Sequence, residues 1–110
     1  MLNKKNKLTN ADEFSSVFST KNRLASPHFF LHFKSNEKKE FRLGCIVPKK
    51  VEKKAVSRNY MKRVINEIFK AEFPLDLYVD IVLRVKQIFT KEDFTLIKLE
   101  LNKLFSKIQL

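Results

Sequence analysis

The segment from Arg58 to Lys70 constrains the fold most, because its side chains separate onto two opposite faces of a helix. At about 100° per residue, its cations and amides share about 140° of arc, and its apolar side chains fill the other side. The first face carries Arg58, Asn59, Lys62, Arg63, Asn66 and Lys70, and the second carries Tyr60, Met61, Val64, Ile65, Ile68 and Phe69. Such a helix packs its apolar face on a sheet and presents its cations outward.

Strand-like sequence on both sides of this helix predicts the sheet. Residues 28–34 alternate between two sides. One side carries Phe29, Leu31 and Phe33, and the other carries His28, Phe30, His32 and Lys34. Residues 41–47 predict a second strand that pairs with the first as a hairpin, and residues 23–26 predict a short leading strand. The apolar, β-branched residues 80–85 predict a central strand.

Two further helices have recognisable starting signals. A capping-box pattern at residues 9–13 precedes a short helix with Phe14 and Phe18 on one face. A second capping box at residues 90–93 begins the last helix, and Pro74 ends the basic helix. The predicted order is therefore α-β-β-β-α-β-α.

The length of 110 residues predicts one domain, residues 1–110, in which residues 1–8 form a mobile basic arm. This order of elements belongs to the α+β (α/β) class. With one cysteine, the chain forms no internal disulfide. No apolar run approaches the ~20 residues of a membrane span. The N-terminus is basic but is not followed by the apolar stretch of a signal peptide. We expect a cytoplasmic protein with no membrane partner.

The positive charge of the chain is concentrated in one region. The chain has 23 Lys and Arg against 12 Asp and Glu, a formal net charge of +11. Eight of these cations and a single acid, Glu52, lie between Arg42 and Arg63. Like charges this close repel one another unless an anion relieves them, and Arg and Lys together suit phosphate oxygens. The pattern favours a nucleic-acid partner over a merely solvated helix face.

Aromatic residues near these cations favour RNA among the nucleic acids. Single-stranded RNA is held by exposed aromatic rings beside a basic groove. Phe14, Phe18 and Phe30 are the candidates, and their alternative role is in the core. His28 and His32 have ligand-like spacing on one predicted strand face, but no third metal ligand lies nearby.

The acidic and nucleophilic residues do not suggest an enzyme that acts alone. The 12 acids are scattered, without a pair at the spacing of a two-metal nuclease site. Cys45 lies in the apolar run LGCIV with no base beside it, so we expect a small buried side chain rather than a nucleophile. The sequence contains no P-loop and no zinc-site spacing.

The sequence resembles the protein subunit of bacterial ribonuclease P over nearly its whole length. The similarity is strongest in a pattern RLG-x-x-V-x-KK followed by AV-x-RN-x-x-KR-x-x-x-E. Here these positions read Arg42-Leu43-Gly44, Val47, Lys49-Lys50, Ala55-Val56, Arg58-Asn59, Lys62-Arg63 and Glu67. The segments LTNADEFSSVF and DIVLRVK resemble the opening helix and the last strand of that family. Tyr60 and Asn66 stand where relatives usually have Arg.

The resemblance implies a two-layer sandwich with a small mixed sheet and a left-handed β-α-β crossover around the basic helix. It implies binding to a catalytic RNA and to the 5′ leader of precursor tRNA, and Mg²⁺ bound mainly by the RNA. The implied contacts with the catalytic RNA are Arg58, Asn59, Lys62, Arg63, Lys53 and Lys54. The implied contacts with the leader are Phe14, Phe18, Phe30, Lys49, Lys50, Arg84 and Lys86. A ribosome-associated structural RNA-binding protein is the alternative function.

Overall fold

The computed structural model describes residues 6–8, 11–37, 40–74 and 76–108. Its helices are α1 (Ala11–Phe18), α2 (Ala55–Glu72) and α3 (Phe94–Ser106), and its strands are β1 (Arg23–Ala25), β2 (Phe29–Ser35), β3 (Arg42–Ile46) and β4 (Val79–Val85). The predicted order of elements is confirmed. The capping box at residues 90–93 is also confirmed, where Thr90 and Asp93 begin a short 3₁₀ helix that leads into α3. Thr9 and Asn10 of the other predicted capping box lie outside the described residues.

The four strands form one sheet in the order β1-β2-β4-β3. Strand β4 is antiparallel to β2 and parallel to β3. The predicted hairpin between β2 and β3 is therefore wrong, because β4 lies between them. The physical reason is that nearly all of Val79–Val85 is buried on both faces, so this strand needs a neighbour on each side. The predicted central position of the strand is confirmed, and the hairpin partner of β2 is β1.

The parallel pair β3 and β4 requires a long connection, and α2 provides it. The sheet is thus mixed, and the predicted α+β class is confirmed. The left hand of this crossover stays a prediction. The end of α2 follows the expected rule: Phe73 has an extended backbone and Pro74 follows it.

One face of the sheet carries the main core. Phe29, Leu31 and Phe33 of β2 are buried there, as the alternation predicted. Helices α2 and α3 cover this face with the buried side chains Met61, Val64, Ile65, Ile68, Phe69, Ile97, Leu101, Leu104 and Phe105. Tyr60 packs partly buried against the same core, on the side of α2 that the helix geometry predicted. Tyr60 therefore does not belong to the outward, cationic side of α2.

The opposite face of the sheet carries α1. Val17 is fully buried with Val82 and Leu8, and Phe14 and Phe18 pack partly buried around them. This second, smaller cluster leaves part of the sheet face uncovered. Within the described residues, no helix combines the length and the hydropathy that a membrane span requires.

Two interactions fix the N-terminal region against the sheet. Arg42 on β3 binds Asp80 on β4 through two hydrogen bonds of 2.8 and 2.7 Å and also pairs with Glu13 on α1. Leu8 is buried and donates its backbone N–H to the carbonyl of Leu43 at 3.0 Å. Residues 6–8 of the predicted basic arm therefore lie against β3, and residues 1–5 lie outside the described residues.

Candidate RNA interface

The outward side of α2 forms a groove of about 310 Å³, which is lined by Asn59, Lys62, Arg63, Asn66 and Glu67. The predicted cations and amides thus share one surface. Arg63 and Asn59 are exposed and Lys62 is half-buried.

The connection from β3 to α2 adds four exposed cations, Lys49, Lys50, Lys53 and Lys54. Arg58 stabilises this connection, because its Nη1 donates to the backbone carbonyls of Glu52 at 3.0 Å and Lys53 at 2.8 Å. Lys54 at the helix N-cap has no side-chain hydrogen bond in that role. Arg58 therefore also serves to hold the basic connection onto α2.

A second candidate surface lies where α1 meets the sheet. The ring of Phe18 contacts His32 edge-on, with 4.6 Å between the ring centroids. The ring of Phe14 lies against Gly44, where an added Cβ would be only 2.4 Å from its Cζ. Both rings are half-buried, so each one contributes to the small cluster under α1 and still presents an edge to solvent.

Beside these rings, the next row of the sheet face is basic. Phe30 on β2 pairs in register with Arg84 on β4, two residues from the pair of His32 and Val82. Two residues along a strand correspond to about 6.7 Å. Phe30 is half-buried, and the cations of Arg23 and Lys86 lie over its ring.

The predicted leader-binding lysines approach this row from the side of β3. Lys50 and Lys86 line one open groove of about 610 Å³ together with Val51, Gln87 and Ile88. The fold thus places Phe14 and Phe18 on one side of the Phe30–Arg84 row. Lys50 and Lys86, which are distant in sequence, meet on the other side.

His32 lies in this surface, on the strand face that the alternation of residues 28–34 predicted for it. Burial, Arg23 and Arg84 lower the pKa of His32 below its ordinary value of 6.5. Its ring is therefore neutral at pH 7, and its buried Nδ1 has no hydrogen-bond partner. Arg23 and Arg84 are thus the cations of the sheet face that act on this ring.

His28 does not share a face with His32, contrary to the predicted alternation. Strand β2 begins only at Phe29, and the Nδ1 of His28 lies 2.8 Å from Oε1 of Glu100 on α3. The two rings therefore contact different helices. Within the described residues, no group of three or more His, Cys, Asp or Glu could hold a metal ion.

Cys45 behaves as a structural side chain. It packs partly buried against the core, as the apolar run around it indicated. Burial raises the pKa of its thiol to about 12. The thiol is therefore protonated at neutral pH and does not act as a nucleophile.

The residues that sequence reasoning missed act through long-range contacts. Arg23, Gly44, Asp80 and Glu100 support the sheet face or the aromatic rings on it. Only Gly44 carried a signal, because it is the single glycine of the chain and lies in the RLG pattern. The other three depend on strand register and on the packing of α3.

Comparisons with known proteins identify the family of this chain. The family model described as Ribonuclease P matches residues 2–109. The ribonuclease P protein component of Chromobacterium violaceum is 38% identical over 102 residues, which are 93% of this chain and 84% of that protein. The corresponding protein of Ralstonia pickettii is 39% identical over 87 residues, 79% of this chain and 62% of the relative's length.

Comparison with solved structures leads to the same family. The ribonuclease P protein from Thermotoga maritima matches with a TM-score of 0.78 at 26% identity, over 94% of this chain and 98% of that chain. The resemblance inferred from the motifs around Lys49 and Arg58 is confirmed. With a match over almost every residue, a shared fold and the basic surfaces expected of an RNA-binding subunit in tRNA processing, the chain belongs to the ribonuclease P protein family.

Proposed function

We propose that this subunit of ribonuclease P binds two RNAs on two different surfaces. The α2 groove and the preceding connection bind the catalytic RNA through Asn59, Lys62, Arg63, Lys53 and Lys54, and Arg58 fixes that connection. The sheet face beside α1 binds the 5′ leader of precursor tRNA. The partner RNA carries out hydrolysis of the phosphodiester bond in the cytoplasm.

The observation that supports this division most is the composition of the sheet face. Half-buried rings of Phe14, Phe18 and Phe30 lie beside Arg84 and Lys86 in one continuous surface. Phe14 and Phe18 offer stacking surfaces to the bases of an extended single strand, while the cations beside Phe30 neutralise its phosphates. The acid on the same face, Asp80, is paired with Arg42 and does not repel the strand.

The protein contributes binding and charge to this reaction rather than proton transfer. In the holoenzyme, Mg²⁺ bound mainly by the RNA would supply charge stabilisation of the transition state. Cations on the protein lower the repulsion between the catalytic RNA and the substrate, which favours the complex and the metal ions in it.

Leader length tests the sheet-face site. Phe14→Ala should weaken binding of a precursor tRNA with a long leader by about fivefold, because one stacking contact of about 1 kcal/mol is lost. Binding of a substrate with a one-nucleotide leader should be unchanged. Dissociation constants for both substrates, measured with the reconstituted holoenzyme, check this expectation. Lys103→Ala, an exposed change on α3, is the matched control. An equal loss for both substrates would contradict a leader contact.

Salt dependence tests the α2 groove. The double variant Lys62→Ala/Arg63→Ala should bind the catalytic RNA more weakly, and the slope of log K against log salt should become less steep by about 1.5. Filter binding between about 0.05 and 0.2 M KCl gives both values. The matched control is Lys91→Ala, which removes an exposed cation near α3. An unchanged slope in the double variant would assign the catalytic RNA to another surface.

A further inference from the structure

Two cations from distant parts of the chain lie over one aromatic ring at the edge of the sheet. The Cζ atom of Arg23 is 5.3 Å from the centroid of the Phe30 ring, and the Nζ atom of Lys86 is 4.4 Å from it. Both distances lie within the range of about 6 Å in which the negative face of a ring attracts a cation. Arg23 is exposed on β1, the outermost strand on this side of the sheet.

Lys86 is fixed by the turn between β1 and β2. Its Nζ donates to the carbonyl of Ser26 at 2.8 Å, and its backbone N–H donates to the carbonyl of His28 at 2.7 Å. Glu100 on α3 holds the same turn, because its carboxylate accepts hydrogen bonds from the Ser26 hydroxyl and from the backbone N–H of His28. The ammonium group is therefore held in place before any ligand binds, with protons left for a further acceptor.

The two cations over Phe30 occupy the ring that a base would otherwise stack on. A base that stacked on Phe30 would compete with Arg23 and Lys86 for the ring. Because both cations lie close to one centroid, they are at most about 10 Å apart, and Arg and Lys at that spacing can each bind phosphate oxygens of the same strand. Arg84 faces Phe30 across the strand pair and adds a third positive charge.

We propose that Arg23, Phe30 and Lys86 form a phosphate clamp for single-stranded RNA, in which Phe30 holds two cations and does not stack on a base. This clamp rests on the proposed binding of the leader by the sheet face. It extends that site across the sheet to strand β1. An RNA strand that reaches from Lys50 beyond β3 to Arg23 crosses three strand intervals, about 14 Å.

The experiment measures binding of precursor tRNA to the reconstituted holoenzyme as a function of KCl, with long-leader and one-nucleotide-leader substrates. Arg23→Ala should weaken binding of the long-leader substrate by roughly fivefold and make its salt slope less steep by about 0.7, the value for one phosphate contact on a single strand. The short-leader substrate should not respond. Lys21→Ala, which removes an exposed cation just before β1, is the matched control and should change neither quantity.

Variants of Phe30 separate a clamp from a stacking platform. Phe30→Leu should lower affinity and also reduce the salt slope, because the cations lose the ring that holds them. Phe30→Tyr keeps the ring face and should retain both values. If Phe30→Leu lowers affinity equally at every salt concentration, the ring stacks on a base and the clamp is wrong. Arg23 is exposed, so the Arg23→Ala test does not depend on the folding of the Phe30 variants.

The outcomes also distinguish the clamp from the proposed leader site. If Arg23→Ala has no leader-dependent effect while Phe14→Ala does, the clamp is wrong and the leader site stands. If neither variant depends on the leader, both proposals are wrong. A leader-dependent loss with a reduced slope in Arg23→Ala, and none in Lys21→Ala, supports the clamp.

Discussion

At the scale of single residues, Gly44 determines how closely α1 approaches the sheet. A Cβ at this position would lie 2.4 Å from Cζ of Phe14 and 3.3 Å from Cβ of Leu8, and the first distance is shorter than real contacts allow. We therefore expect Gly44→Ala to displace the Phe14 ring and to lower the free energy of unfolding by about 1–3 kcal/mol. Urea denaturation measures this loss. Adding Phe14→Leu, which shortens the displaced side chain, should restore part of it, and a double variant that is no better than Gly44→Ala would contradict the steric cause.

At the scale of elements, Glu100 connects α3 to the turn between β1 and β2. Burial would raise the pKa of Glu100, but hydrogen bonds from Ser26 and His28 outweigh burial and lower the pKa below its ordinary value of 4.5. A lowered pKa stabilises the folded state above about pH 4.5, and this contribution is lost as the pH falls through the folded pKa. We expect Glu100→Gln to be less stable than the unmodified chain by about 1–2 kcal/mol at pH 7.

The same difference should shrink as the pH falls below the ordinary value of 4.5, because Glu100 is protonated first in the unfolded state and, below its lowered pKa, also in the folded state. Thermal melting of both proteins between neutral and acidic pH checks this expectation. The comparison isolates Glu100, since every other carboxylate is common to the two proteins. A stability difference that stayed constant with pH would show that the charge of Glu100 does not contribute to its contact with the turn.

At the scale of the whole molecule, the net charge of +11 opposes compaction. Salt screens this repulsion, with a Debye length of about 10 Å at 0.1 M. We expect the melting temperature without RNA to rise by a few degrees, roughly 1 kcal/mol, between low salt and 0.3 M NaCl. The Lys62→Ala/Arg63→Ala variant, which has two fewer positive charges, should show a smaller rise. A fall in melting temperature with salt would mean that pairs such as Arg42 and Asp80 outweigh the repulsion.

Sequence patterns predicted the elements that depend on neighbours along the chain. The two faces of α2, the buried side of β2 and the end of α2 at Pro74 all follow from a local period or a local backbone restriction. The burial of Tyr60 follows from the same period. The cations on the outward side of α2 could therefore be identified from sequence, whereas the aromatic residues of the sheet face could not be assigned to surface or core.

The pairing of strands could not be predicted in the same way. A hairpin between β2 and β3 is the simplest connection of two neighbouring strands, but β4 has two apolar faces and separates them. His28 fell outside β2 because the strand begins one residue later than its alternation indicated. The wrong hairpin and the wrong placement of His28 have the same origin, because strand pairing and register are decided by the burial of whole strand faces.

The sequence by itself determined that this chain is a basic, mixed α+β protein with a cationic helix, and its motifs determined the family. Only the tertiary structure decided which residues act together on the sheet face. Arg23, Phe30 and Lys86 meet because β1 and β4 lie on either side of β2 and because the turn after β1 holds Lys86. Local periodicity gives the direction of each side chain, but contacts between distant strands depend on the free energy of packing the whole sheet.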